Sequence, residues 1–203
     1  MWALVQDGQV TETFNYAKGF VLNDTQYPAD VFTKWSQAEK EAIGIYEVIV
    51  DKTNYKNPEY YNNTNSTIAF ANNQVTESWG TATAKRLENE NVVDEDGNPV
   101  LENGVQVIDY GLKTIKKRII KQQAAGLLAP TDWYVVKASE VADYTVPANI
   151  TTYRAAVRTK SNEMETAIDN AANVDALEAL YAYTEQADGT FTRPLGEWPE
   201  EVI

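Results

Sequence analysis

The chain of 203 residues contains neither cysteine nor histidine. Without cysteine it has no disulfides, no thiolate nucleophile and no thiolate metal ligand. Without histidine it lacks Ser-His and Cys-His catalytic pairs, and it lacks the side chain that most often transfers protons near neutral pH. An enzyme built from this sequence would have to use carboxylates, lysine, tyrosine or arginine alone.

Other signatures are missing as well. The sequence contains no Gly-rich phosphate loop and no nucleophile elbow. It has no apolar run long enough to span a bilayer, and its N-terminus lacks the basic-then-apolar layout of a signal peptide. We therefore predict that the protein is not an enzyme, has no catalytic residues, cofactor or metal, and has no membrane as a partner.

Positive charge is scarce. The chain has 17 lysine and arginine residues against 30 aspartate and glutamate residues, which gives a net charge of -13. Such a surface repels nucleic acid and anionic membranes, so we expect no nucleic-acid partner. Hydrophobic residues make up 43% of the chain and charged residues 23%, which is ordinary globular usage and predicts a real core.

Residues 1–86 are predicted to form a β-rich α+β unit with two hairpins. In the first, Asp7-Gly8 separates two strand-like runs, Trp2–Val5 and Val10–Phe14. Asp-Gly between such runs is among the strongest short hairpin signals. In the second hairpin, Asn72-Asn73 separates residues 67–70 from residues 74–79.

A short helix and a strand complete this predicted unit. Ser36 and Glu39 have the spacing of a capping box, and Gly44 stands where a left-handed residue would end the helix. Residues 45–50 form the most convincing single strand. The predicted core contacts around the helix are Val31, Phe32, Trp35 and Ile43.

Residues 87–109 are acidic and rich in asparagine, and they predict a linker or an exposed hairpin. Asp94–Asn98 resembles the start of a calcium loop, but its glycine stands at the fourth position rather than the sixth. The flanks are also typical of strand rather than helix. We therefore interpret this stretch as an acidic turn.

Residues 110–187 are predicted to form a helical unit. Its first helix is Leu112–Leu128, ended by Ala129-Pro130, and residues 131–136 are predicted to be an extended arm because they are β-branched and aromatic. Pro147 opens a second helix, Asn173 caps a third, and residues 188–203 are predicted to be an extended tail. The predicted inward residues are Leu112, Ile115, Ile119, Ala124 and Leu127 on the first helix and Ile150, Tyr153, Val157, Met164 and Ile168 on the second.

The first helix carries the densest group of basic residues: Lys113, Lys116, Lys117, Arg118 and Lys121. Such a group can bind phosphate or an acidic partner, or it can dock onto the acidic surface of another copy of the chain. It can also be a solvated face whose lysine stems cover apolar surface. We favour the solvated face because these residues fall on several faces of the helix.

The second helix carries Arg154 and Arg158, spaced to project from one face. Paired with Asp132 or Glu163, they would lock the two helices together. We interpret Trp133 as a core aromatic residue. For the loop tyrosines Tyr55, Tyr60 and Tyr61, two interpretations stay open: a surface that binds glycan or protein, or rings that cap the edges of the β-unit.

Three stretches carry a resemblance to a known family: residues 127–134 (LLAPTDWY), Val146-Pro147 and residues 153–158 (YRAAVR). Together they resemble the C-terminal part of tail-fibre assembly and tail-assembly-chaperone-like proteins of tailed phages. The opening residues 1–5 and 7–10 are similar to the first hairpin of such proteins and of marine phage proteins. The chain departs from the small chaperones in its Asn/Tyr-rich loop, its acidic residues 87–109 and its Pro194–Pro199 tail.

The resemblance implies a non-enzymatic structural or attachment protein of the tail or fibre module, made in the host cytoplasm and located in the virion. Its partners would be other tail or fibre proteins and further copies of the chain. One alternative is a cytoplasmic assembly chaperone absent from the mature virion, and another is a carbohydrate-binding module. The predicted partner-binding residues are Trp133, Tyr134, Tyr153, Arg154, Arg158, Lys116 and Lys117; the predicted glycan-binding residues are Tyr55, Tyr60 and Tyr61.

Overall fold

The computed structural model describes residues 1–201 and confirms the α+β class, with a β-rich N-terminal region followed by helices. The chain divides into two compact units, Met1–Thr83 and the remainder from Ala84 onward. No helix among residues 1–201 is long and apolar enough to span a bilayer.

The first unit is built on a five-stranded sheet with the order β2-β1-β5-β8-β7. β5 and β8 are parallel, and the other neighbours are antiparallel. The strands that begin in this unit are β1 (Trp2–Gln6), β2 (Gln9–Phe14), β3 (Phe20–Leu22), β4 (Thr25–Tyr27), β5 (Ile45–Asp51), β6 (Tyr61–Asn62), β7 (Ser66–Ala71), β8 (Gln74–Trp79) and β9 (Thr83–Ala84).

Both predicted hairpins are confirmed. The turn residues Asp7 and Gly8 have φ values of 50° and 75°, and Asn72 and Asn73 have φ values of 52° and 59°. Positive φ at both central positions matches the twist of the flanking strands, and aspartate, asparagine and glycine tolerate it best. These local turns therefore set the register of β1 with β2 and of β7 with β8.

Two short helices, α1 (Asp30–Lys34) and α2 (Gln37–Ala42), precede β5. The capping box of Ser36 and Glu39 is present, and Gly44 follows α2 with a φ of 81°. A side chain at Gly44 would lie 2.5 Å from the carbonyl oxygen of Val5, so the close approach to β1 requires glycine here. The predicted contacts Val31, Phe32, Trp35 and Ile43 all belong to the core of this unit.

The second unit begins with short antiparallel pairs that form an exposed arm. Its strands are β10 (Glu90–Asn91), β11 (Leu101–Glu102), β12 (Val105–Gln106) and β13 (Ile108–Asp109). Arg86 pairs with Glu90 and Asp109 where the arm begins and ends. The carboxylate of Asp94 accepts hydrogen bonds from the N–H group of Asn98 and, with a smaller effect, from that of Asp96, and these bonds lower its pKa.

The helices of this unit are α3 (Leu112–Leu128), α4 (Asp132–Glu140), α5 (Ala148–Asn170) and α6 (Val174–Ala179), with a 3-10 turn over Ala129–Thr131 between α3 and α4. α3 packs against α5. All five inward residues predicted for α5 are buried, and Asn173 caps α6 through the N–H of Ala176.

The predicted inward face of α3 is wrong in part. Its buried residues are Leu112, Lys116, Ile120 and Ala124, whereas Ile115 and Ile119 are 42% and 37% exposed. The buried stripe has a strict spacing of four, and it includes Lys116 because the lysine stem is apolar.

The C-terminal segment is not simply an extended tail. β14 (Thr184–Glu185) pairs with β15 (Phe191–Thr192), and Leu195 is buried with its N–H bonded to the carbonyl oxygen of Leu180. Leu195 therefore anchors this segment to the end of α6. The last two residues of the predicted tail, Val202 and Ile203, lie outside the described residues.

Candidate interaction surface

Residues 132–140 form a helix, so the predicted extended arm over residues 131–136 is wrong. Pro130 lies in the 3-10 turn that leads into α4, Asp132 occupies its first turn and Lys137 its last. These charges complement the helix dipole. Proline followed by an acidic residue is a helix-start signal. Our prediction gave more weight to the β-branched and aromatic composition of the segment.

One buried arginine fixes the start of α4. The guanidinium of Arg154, on α5, lies 2.8 Å from the carboxylate of Asp132. It also donates to the carbonyl oxygen of Leu128 at 3.0 Å and to the hydroxyl of Thr131 at 2.6 Å. The predicted ion pair of Arg154 with Asp132 is therefore present, whereas Glu163 pairs with Lys160.

α4 presents apolar side chains to solvent. None of residues 132–140 is buried, and Trp133 and Val136 are 51% and 52% exposed. The Trp133 ring lies 3.7 Å from that of Tyr134, and the ammonium group of Lys137 lies over the Trp133 ring at 5.8 Å. The interpretation of Trp133 as a core residue is therefore wrong. Val135 and Val141 are also exposed. We call Trp133, Val135, Val136 and Val141 the α4 surface.

The other predicted partner-binding residues lie in different settings. Tyr153 is buried, and its hydroxyl donates to the carbonyl oxygen of Leu127. Burial, with a smaller effect of the Glu201 carboxylate, raises the pKa of Tyr153. Arg158 is exposed and donates to the carbonyl oxygen of Arg154. Tyr153 therefore packs against α3, and Arg154 binds the start of α4 through Asp132. Neither residue forms part of the α4 surface.

The basic group on α3 is largely engaged within the second unit. Lys116 is 3% exposed, with its ammonium group over the ring of Tyr181 at 4.6 Å. Lys117 pairs with Asp169 at 2.7 Å, and Lys121 pairs with Glu165. Most of these charges thus bind acidic or aromatic side chains of the same chain, and the structure does not join them to the α4 surface.

The loop tyrosines are not presented together. Tyr60 and Tyr61 are buried, at 2% and 5% exposure, and only Tyr55 is accessible. Its ring meets Trp79 edge-on, with the centroids 5.2 Å apart. A buried ring cannot stack on a sugar, so this arrangement supports the interpretation of these rings as packing elements of the β-unit.

Comparison with protein-family models, with curated proteins and with solved structures found no match for this chain.

Proposed function

We propose that this protein is a non-enzymatic structural or attachment component of the tail or fibre module of a tailed phage. In this proposal it remains in the virion and contacts other tail or fibre proteins and further copies of itself. The contacts are made through the α4 surface.

A single observation carries the proposal. The segment that resembles the phage proteins includes the start of α4, and this helix exposes apolar side chains. Within Thr131-Asp132-Trp133-Tyr134, Asp132 is bound by Arg154 while Trp133 is half exposed. Asp132 thus anchors the helix, and the ring of Trp133 is accessible to a partner. Partly exposed aromatic residues on an anchored element are the usual centre of protein–protein interfaces.

The chemistry of the α4 surface agrees with a contact between proteins. Trp133, Val136 and Val141 each leave close to half of their surface in water in the isolated chain. Covering apolar area of this kind is favourable by about 25 cal/mol per Å². The net charge of -13 opposes self-association, so screening by salt should strengthen the contact between copies.

Analytical ultracentrifugation of the whole chain tests self-association. We expect a defined oligomer for the natural sequence and a monomer for the Trp133→Ser/Val136→Ser variant. A matched control is Tyr16→Ser/Val21→Ser, which removes an aromatic residue and a valine that are 70% and 61% exposed on the first unit. The control should assemble like the natural sequence, and equal loss in both variants would contradict a specific role of α4.

Mass spectrometry of gradient-purified particles separates the virion component from the assembly chaperone. A stoichiometric signal relative to the major capsid protein supports the proposal. Abundance in infected lysate without a signal in particles would favour the cytoplasmic chaperone instead. A strictly monomeric protein that is also missing from particles would overturn the structural role.

A further inference from the structure

A cavity of about 360 Å³ opens between α3 and the C-terminal segment of the second unit. Its volume lies at the lower end of the range of small-molecule sites. None of its lining residues belongs to the α4 surface. They are Gln123, Gly126 and Leu127 on α3, and Arg193, Gly196 and Trp198 on the segment after β15.

The cation that lines this cavity is Arg193. The guanidinium of Arg193 stacks over the ring of Tyr183, 5.0 Å from its centroid, and no carboxylate among residues 1–201 forms an ion pair with it. Other cations of the same unit, such as Lys117 and Arg154, do have carboxylate partners. In a chain with 30 acidic residues and 17 basic ones, this lack of a carboxylate partner at a cavity favours an external anion.

A glycine fixes where this guanidinium lies. Gly196 has a φ of 132°, and a Cβ atom there would lie 2.2 Å from Nε of Arg193. The arginine head group therefore occupies the space that any other residue at position 196 would fill. The backbone N–H of Arg193 is also bonded to a carboxylate oxygen of Glu197 at 3.1 Å. These contacts hold Arg193 at the cavity.

A second glycine leaves room in the cavity. Gly126 lies inside α3, where glycine is a poor helix former. In the part of the chain that the structure describes, a Cβ atom at Gly126 would meet no atom within 4 Å. Packing among the described residues therefore gives no reason for glycine at this position, whereas a ligand lying on the helix would.

The remaining polar and aromatic lining residues are Trp198, whose ring forms a flat wall, and Gln123, which carries a side-chain amide. Trp198 packs against the cluster of Ala124, Tyr153 and Val157 and so has a fixed position. The side-chain amide of Gln123 forms no hydrogen bond with residues 1–201 and is available to a ligand. We propose that this cavity binds a small organic carboxylate: its carboxylate pairs with Arg193, and its flat or apolar body lies between Trp198 and Gly126.

Nuclear magnetic resonance of the whole 15N-labelled chain tests this site, because the indole N–H of Trp198 reports on its wall. The Trp198→Phe variant assigns that signal among those of the five tryptophans. The probes are phenylacetate and glucuronate, with phenylacetamide and methyl glucoside as neutral matches. We expect at least one of the carboxylates to shift the Trp198 signal and to bind roughly tenfold or more tightly than its neutral match.

Two variants test separately the charge of Arg193 and the open space beside Gly126. Arg193→Gln should lower the affinity for the carboxylate to that of the neutral match, and Gly126→Leu should abolish binding by filling the cavity. Leucine is a better helix former than glycine, so Gly126→Leu should fold, and its thermal midpoint should not fall. Ala125→Leu, at an exposed neighbouring position on α3, is the matched control and should bind like the natural sequence.

Failure of both carboxylates to shift the Trp198 signal would overturn the proposal. Equal binding of carboxylate and neutral match would also overturn it, because Arg193 would then play no part. Inorganic phosphate binding as tightly as the better carboxylate would contradict the role given to Trp198.

Discussion

Arg154 and Asp132 form an ion pair in which the two partners have very different surroundings. Their charged atoms lie 2.8 Å apart, with the arginine side chain 9% exposed and the aspartate side chain 59% exposed. Arg154 also binds Leu128 and Thr131, so one side chain of α5 holds the end of α3 and the start of α4. The α4 surface therefore depends on a contact made beneath it.

Replacing this arginine should destabilise the second unit. Arg154→Met keeps the apolar stem but removes the donors to Leu128, Thr131 and Asp132, and we expect a loss of about 2 kcal/mol in the free energy of unfolding. Arg158→Met is the matched control, since Arg158 is exposed and makes one long hydrogen bond of 3.4 Å. Its effect should stay within about 0.5 kcal/mol. Urea denaturation followed by circular dichroism measures both, and equal losses would contradict the anchoring role.

The α4 surface should contribute little to the stability of the isolated chain. Trp133→Ser removes a ring that is already half exposed, so we expect a loss below about 1 kcal/mol. Met164→Ala removes a side chain of α5 that is 1% exposed, and should cost roughly 2–5 kcal/mol through a cavity. The losses in unfolding free energy are compared by denaturation at a protein concentration where both variants are monomeric. A loss for Trp133→Ser as large as for Met164→Ala would place Trp133 in the core.

Local signals in the sequence predicted much of the first unit. Asp7-Gly8 and the pair of Ser36 with Glu39 specify a turn and a helix start through atoms only a few residues apart. Gly44 likewise predicts a helix end, because few other residues adopt positive φ without strain. Such features require no knowledge of distant parts of the chain, and the structure confirms them.

The predictions that were wrong concern features that depend on contacts between residues far apart in the sequence. Residues 131–136 have the composition of a strand, yet Arg154 binds Asp132 from another helix and helps to hold the segment at a helix start. Lys116 is buried because the ring of Tyr181 lies at its ammonium group, which the spacing along α3 does not reveal. Whether the loop tyrosines Tyr60 and Tyr61 face solvent or core likewise depends on how the loop folds back, and not on its composition.

The capping box of α2 should make stability depend on pH. Hydrogen bonds from the Ser36 hydroxyl and N–H group lower the pKa of Glu39 below its ordinary value of 4.5. The unfolded chain therefore takes up this proton at a higher pH than the folded one. The stabilisation is complete above pH 4.5 and is lost as the pH falls through the lower folded-state pKa.

Glu39→Gln isolates this effect, because glutamine still accepts the hydrogen bonds of a capping box but does not titrate. Thermal midpoints of both proteins are measured from about pH 7 to below the ordinary pKa of glutamate. We expect the midpoint of the natural sequence to fall further on acidification than that of the variant. Parallel curves would mean that Glu39 has the same pKa in the folded and unfolded chains.

Two glycines with similar backbone angles should respond differently to alanine. Gly8 and Gly44 have φ values of 75° and 81°, so alanine at either position costs about 1 kcal/mol for the left-handed conformation. A Cβ atom at Gly8 meets nothing within 4 Å among the described residues, whereas at Gly44 it would lie 2.5 Å from the carbonyl oxygen of Val5. Gly44→Ala should therefore lose clearly more unfolding free energy than Gly8→Ala.

Urea denaturation of the two variants measures this difference. The carbonyl oxygen of Gly44 also accepts the N–H of Val5 at 2.7 Å, so a shift that relieves the clash must disturb this bond between β1 and the end of α2. Equal losses would mean that β1 moves aside without cost. The close approach at Gly44 would then not determine where α2 ends against the sheet.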